Sequence, residues 1–120
     1  MAVTYVGNRG SASGTSPLSG VVTISPSSEA LAGDLLVLTV ASLAGAVPLN
    51  IGDTQGNEWQ IDVSALNTSR VAVCSSVLAF ELALADIISL NVGVSLLYCL
   101  DLEEFAGAIS PGWRDVSATG

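Results

Sequence analysis

Apolar and polar residues alternate along this chain in short runs, cut at intervals by clusters of Gly, Ser, Pro, Asn and Asp. The 3.6-residue period of an amphipathic helix is almost absent. Short segments rich in Val, Ile, Leu and Thr between turn residues predict strands. Residues 2–7 (AVTYVG) form the first. Residues 8–18 (NRGSASGTSPL) read as a Gly/Ser-rich loop or extended arm without the apolar side chains for a core of its own. Residues 20–25 (GVVTIS) alternate as a second strand, closed by Pro26, which has no N–H to give a central ladder. The run 35–42 (LLVLTVAS) is almost continuously apolar and predicts a strand buried on both faces. Ser28-Glu29-Ala30-Leu31 offers a competing helix start, which Gly33 and the β-branched residues beyond it limit to one turn.

Residues 43–56 are expected to be a long loop ending in the turn signal Asp53-Thr-Gln-Gly-Asn57. Residues 58–63 (EWQIDV) alternate, with Trp59, Ile61 and Val63 on one face and Glu58, Gln60 and Asp62 on the other. Residues 70–80, 87–92 and 94–105 read as further strands, and 113–119 as a last edge strand. Seven or eight strands at this spacing predict one all-β domain over residues 1–120, an antiparallel β-sandwich of jelly-roll or immunoglobulin-like type.

Composition adds a constraint. Half of the 120 residues are hydrophobic and 12% are charged, against roughly 25% charged in an ordinary domain. A domain this small has too much surface to hide that apolar content, so part of it is expected to face partner subunits in a homo-oligomer. The net charge of −8 reflects scarce cations: Arg9, Arg70 and Arg114 are the only basic side chains. Nucleic acid and anionic membrane surfaces both require clustered Lys or Arg and are not expected as partners. The uncharged stretch Leu35 to Gly52 just reaches the length of a membrane span. It also carries Thr39, Ser42, Gly45, Pro48 and Asn50, and reads as a strand followed by a loop. The opening residues lack the basic n-region of a secretory signal and are expected to enter the first strand directly.

Catalytic material is thin. With no His and no Lys, general bases reduce to carboxylates and a Cys nucleophile lacks its usual activating neighbour. Glu103 and Glu104 are adjacent on a strand, so they point to opposite faces and cannot flank one bond. They read as solvated strand-end acids. No enzymatic activity, cofactor or metal is expected. Asp53 to Glu58 lacks calcium-loop spacing and is better explained as a turn in which Asp and Asn cap their own backbone and Gly supplies positive φ. Cys74 and Cys99 read as small buried hydrophobes, with a single bridge between them left open. Trp59 is expected in the core. Trp113 beside Arg114 is a candidate interface anchor, and the arm residues Asn8, Arg9, Thr15, Pro17 and Leu18 are candidates for contact with a neighbouring subunit.

Several pieces together resemble a β-sandwich domain of bacteriophage virion proteins and some bacterial surface proteins. They are the Tyr5 strand with SASGTSP (11–17), Ala32-Gly33-Asp34-Leu35-Leu36, Asp53-x-x-Gly56-Asn57-x-Trp59, Ser69-Arg70-Val71-Ala72-Val73, Glu104-Phe105-x-Gly107, and Asp115-x-Ser117-Ala118-Thr119. The resemblance implies a capsid decoration (cement) protein on the virion surface, a homo-oligomer with a trimer favoured, bound to the major capsid protein or another virion protein. The alternatives it leaves are an adhesin or carbohydrate-binding module of a tail fibre or surface appendage, or a subunit of a self-assembling filament or shell.

Overall fold

A computed structural model describes residues 3–15, 20–43, 50–66, 69–92 and 97–107. These contain eight strands: β1 (Thr4–Thr15), β2 (Val21–Ile24), β3 (Leu35–Leu43), β4 (Ile51–Asp53), β5 (Gln60–Leu66), β6 (Ser69–Val77), β7 (Ile88–Asn91) and β8 (Leu97–Ala106). They form two antiparallel sheets, one ordered β1-β8-β3-β6-β5 and one ordered β2-β7-β4. The pairing is nested: β1 lies against β8, β2 against β7 and β3 against β6. Strand β8 also pairs with β3, β4 with β7, and β5 with β6.

The inner faces of the two sheets share one core. Leu36, Leu38 and Val40 of β3 and Leu100 and Leu102 of β8 pack with Ala72 and Cys74 of β6. Val22, Ile24, Ile88 and Leu90 come from the smaller sheet. Each sits at every second position of its strand, as a two-residue period requires when one face is buried. Ala30, Leu78 and Leu82 close one end of this core, held by reciprocal backbone hydrogen bonds between Ala30 and Leu82.

Four details differ from the sequence expectation. Residues 8–15 are not a loop: they continue β1 along β8, with Gly7, Gly10, Ala12 and Gly14 opposite the inward residues Glu104, Leu102, Leu100 and Tyr98. At Gly10 it is the positive φ, a conformation that L side chains rarely adopt, that calls for glycine. A Cβ on Gly10, whose φ is +129°, would sit 3.4 Å from the Ser25 carbonyl oxygen. A strand whose inner face is glycine looks like a linker when read for apolar side chains. Secondly, β3 is buried on both faces only at its start. Leu36, Leu38 and Val40 are inside; on the outward side Leu35 is buried and Val37 half-buried, while Thr39 and Ala41 are exposed. Thirdly, β4 lies within the expected loop at 43–56; its three residues pair only with β7. Fourthly, a register shift between Ile61 and Val63 sets Ile61 opposite inward Cys74 and Val63 opposite outward Val73. That bulge breaks the expected shared face of Trp59, Ile61 and Val63.

The competing helix start at 28–31 is not helical; bends and the Ala30–Leu82 bridge occupy that stretch. The last edge strand expected at 113–119 lies outside the described residues. Among the described residues no helix is long and apolar enough to cross a membrane.

Candidate functional site on the outward face of the five-stranded sheet

The outward face of the larger sheet is read directly from the register. Its rows run Tyr5–Phe105–Leu35–Val77, Asn8–Glu103–Val37–Ser75, Ser11–Asp101–Thr39–Val73, Ser13–Cys99–Ala41–Val71, and Thr15–Leu97. The face divides in two.

At one end is a polar network. The Tyr5 hydroxyl donates to Glu103 Oε1 at 2.5 Å, and Asn8 Nδ2 donates to Asp101 Oδ1 at 2.8 Å and also to Glu103 Oε2. The Tyr5 bond, with those from Asp101 and Asn8, holds the Glu103 carboxyl below its usual range. Hydrogen bonding to Glu103 raises Asp101 and Tyr5. The two acids therefore titrate as a pair in which Asp101 keeps its proton longer.

At the other end lie Ala41, Val71, Cys99, Leu97, Ser13 and Thr15, all exposed and all uncharged, bordered by the row that carries Asp101. Val71 is 49% exposed and Leu97 59%. Val71, Leu97, Ala41 and Cys99 form a small apolar strip flanked by Ser13 and Thr15 on this face, the kind of surface a contact can use.

Charge sharpens the contrast. Arg70 is 5% exposed, on the inner face opposite Ser42. The side chain of Arg9 is 16% exposed, and its Nε lies 2.5 Å from Glu104 Oε1, which is 1% exposed. Both described cations are thus drawn inward, and the exposed charges of the described residues are carboxylates. Glu104 corrects the expectation of solvated strand-end acids: it faces the core side, where burial pushes its pKa up. Bonds from Asp34, Arg9 and the Leu31 N–H outweigh that effect and hold it below the usual range. Glu103, one residue earlier, does face outward.

Of the candidate contact residues, Asn8 and Thr15 stand on this outward face and are exposed, while Arg9 turns the other way to Glu104. Pro17, Leu18, Trp113 and Arg114 lie outside the described residues. Sequence reasoning missed Val71, Ala41, Cys99 and Leu97. The signal was their odd-numbered phase opposite the core residues Ala72, Val40 and Leu100, visible only once the strand phase is known.

Cys74 and Cys99 are both free; the first is buried and the second exposed. They lie on opposite faces of the sheet with β3 between them, so no bridge joins them here. Burial raises the Cys74 thiol to about 12.

The turn after β4 has the Asp cap and positive-φ Gly that its sequence predicts, but the Asn57 side chain bonds to the backbone of Ala79 and Phe80 rather than to its own turn. Asp53 Oδ1 accepts the N–H groups of Gln55 and Asn57 at 2.9 and 3.2 Å, and Gly56 has φ +80°. Asp53 Oδ2 accepts the Trp59 indole N–H at 2.8 Å. This carboxylate closes a turn and orients an indole that packs, half-buried, against the core. Among the described residues no group of three or more His, Cys, Asp or Glu is placed to hold a metal ion.

Comparison with family models, with curated proteins and with solved structures gave no match.

Proposed function

We propose that this chain is a virion structural protein, a capsid decoration subunit that self-associates, as a trimer, and clamps neighbouring major-capsid subunits. The observation that carries the reading is the uncharged outward patch centred on Val71, Ala41, Cys99 and Leu97. Copies of a chain with net charge −8 repel one another wherever their carboxylates meet. Contact between copies therefore favours a face that has none. Burying the exposed halves of Val71 and Leu97 contributes on the order of 1 kcal/mol each, and a symmetric oligomer repeats that contribution at every interface.

The strand order supports a finer statement of the fold. Nested pairs β1:β8, β2:β7 and β3:β6 are what results when a long hairpin is rolled into two sheets, the jelly-roll arrangement common in viral shells. β5 departs from the ideal by pairing with β6 rather than with β4. Fold alone carries no function, so the weight rests on the patch.

A decoration protein stabilises a shell by binding the assembled form in preference to loose subunits. Co-sedimentation with capsids of the encoding genome tests this. Retention on assembled shells, without binding to unassembled capsid subunits, supports the reading, and protein left in the supernatant contradicts it.

A further inference from the structure

Phe80 is held firmly by its backbone, yet it remains 54% exposed. The fastening comes from Asn57, itself 6% exposed. Asn57 Nδ2 donates to the Phe80 carbonyl at 3.0 Å, and Oδ1 accepts the N–H groups of Ala79 and Phe80 at 2.8 and 2.9 Å. Phe80 lines an open groove of ≈ 400 Å³ with Ala32, Ala79, Ala83 and the carboxylates of Glu81 and Asp86. The antiparallel bridge between Ala30 and Leu82 buries those two residues and leaves their neighbours Glu29, Leu31, Glu81 and Ala83 exposed.

The groove lies at the end of the sandwich away from the uncharged strip. Ala79 and Phe80 follow Val77, the last residue of β6, and Ala32 precedes Leu35, the first of β3, which pairs with Val77. Val71, Ala41 and Leu97 stand toward the opposite ends of β6, β3 and β8.

Its charge has one sign. Asp86 Oδ1 accepts the Thr54 hydroxyl and Gln55 Nε2, both at 2.8 Å, and Oδ2 accepts the Ala83 N–H at 2.8 Å. These bonds fix the carboxylate at the rim and hold it below its usual range. The charges of Glu29 and Asp86 both act on Glu81. Of the described cations, Arg9 is paired with Glu104, and Arg70 is 5% exposed near the far end of β6.

We propose that this groove binds a segment of another protein in which a Lys or Arg stands beside an aliphatic or aromatic side chain. The apolar side chain packs on Phe80 and the alanines, and the cation meets Glu81 and Asp86. Because the backbone beneath Phe80 is already fixed, binding costs little further ordering, and an exposed aromatic so placed is an effective contact anchor. Opposite charge steers the encounter and is screened by salt. A second copy of this chain is the wrong occupant, since it brings further carboxylates while both its described cations turn inward. The groove is separate from the strip at Val71 and Leu97, so it can be filled in a monomer and an oligomer alike.

The test pans a yeast-displayed library of random heptapeptides on the full chain. Enriched peptides are expected to set Lys or Arg next to a large apolar residue. They are expected to bind about tenfold more weakly to Phe80→Ser and to Glu81→Lys than to the wild type, with Val71→Lys binding as the wild type does. Both groove substitutions fall at exposed positions and are expected to leave the melting temperature unchanged. Failure to enrich any peptide, or enrichment of peptides without the cation or without the apolar residue, overturns the proposal. So does equal binding to the wild type and to Glu81→Lys. A Phe80→Ser variant whose mass in solution falls below that of the wild type shows a second copy in the groove and overturns it too.

Discussion

Glu103 and Glu104 are neighbours in sequence and sit on opposite sides of one sheet. Glu103 faces outward beneath Tyr5 and Asn8, and Glu104 is enclosed against Arg9. The same residue type thus has two energetic roles one position apart. Glu104→Ala leaves the Arg9 guanidinium partly buried beside an empty space, and is expected to cost about 2–4 kcal/mol. Glu103→Ala removes an exposed acceptor and is expected to cost less than about 1 kcal/mol. Urea unfolding of the two variants under identical conditions checks the difference.

Asp53 is expected to behave as a structural residue of its turn. Its carboxylate accepts two backbone N–H groups and the Trp59 indole. Asp53→Ala removes all three bonds and is expected to lower stability by about 2–3 kcal/mol, whereas Trp59→Phe loses only the indole bond and costs about 1 kcal/mol. Thermal unfolding in the presence and absence of a chelator checks the accompanying claim that the turn is closed by hydrogen bonds of Asp53, Asn57 and Asp86: the melting temperature is expected to be the same in both.

Gly10 is expected to tolerate no side chain. Its φ of +129° opposes alanine, while the Ser25 carbonyl oxygen, 3.4 Å from the Cβ position, is at ordinary contact distance. Gly10→Ala is expected to cost about 1–3 kcal/mol, and Ser11→Ala, on the exposed outward face next to it, less than about 0.5 kcal/mol. Melting temperatures of the two variants provide the check.

How far the fold could be read from the sequence depended on what each residue contributes to its strand. Alternating Val22 and Ile24 in β2 and Ile88 and Leu90 in β7 announced themselves, because each faces the core with a large apolar group. The inner face of β1 is made of Gly7, Gly10, Ala12 and Gly14, which carry no such mark, so a twelve-residue strand reads as an arm. β3 reads as doubly buried because Val37, Thr39 and Ala41 are compatible with either side of a sheet. Its exposed face becomes visible only from its partners. The bulge between Ile61 and Val63 leaves no sequence mark and shifts the register of β5 on β6. The Asp53 cap and the positive φ of Gly56 were legible, since that chemistry is local; the bonds of Asn57 to Ala79 and Phe80 and of Thr54 and Gln55 to Asp86 were not. Nor was the buried Arg9–Glu104 pair, since its partners come from β1 and β8, 95 residues apart in the chain.

The two cysteines provide a chemical reading of the sheet. A neutral thiol reagent is expected to modify one cysteine per folded chain, Cys99, while Cys74 reacts only after unfolding, because it is buried and its thiolate is disfavoured to about pH 12. Thiol titration before and after denaturant counts both. Cys99 lies within the uncharged patch, so its modification rate is expected to fall as protein concentration rises and copies associate.

The central claim is that copies of this chain meet through the patch at Val71 and Leu97, and its most direct measurement is the mass in solution by light scattering, for the wild type and for Val71→Lys. The account predicts a discrete oligomer, about three times the 12.1 kDa chain mass, and a monomer of unchanged melting temperature for the variant. A wild-type monomer at all concentrations, or an oligomer that Val71→Lys leaves intact, contradicts it.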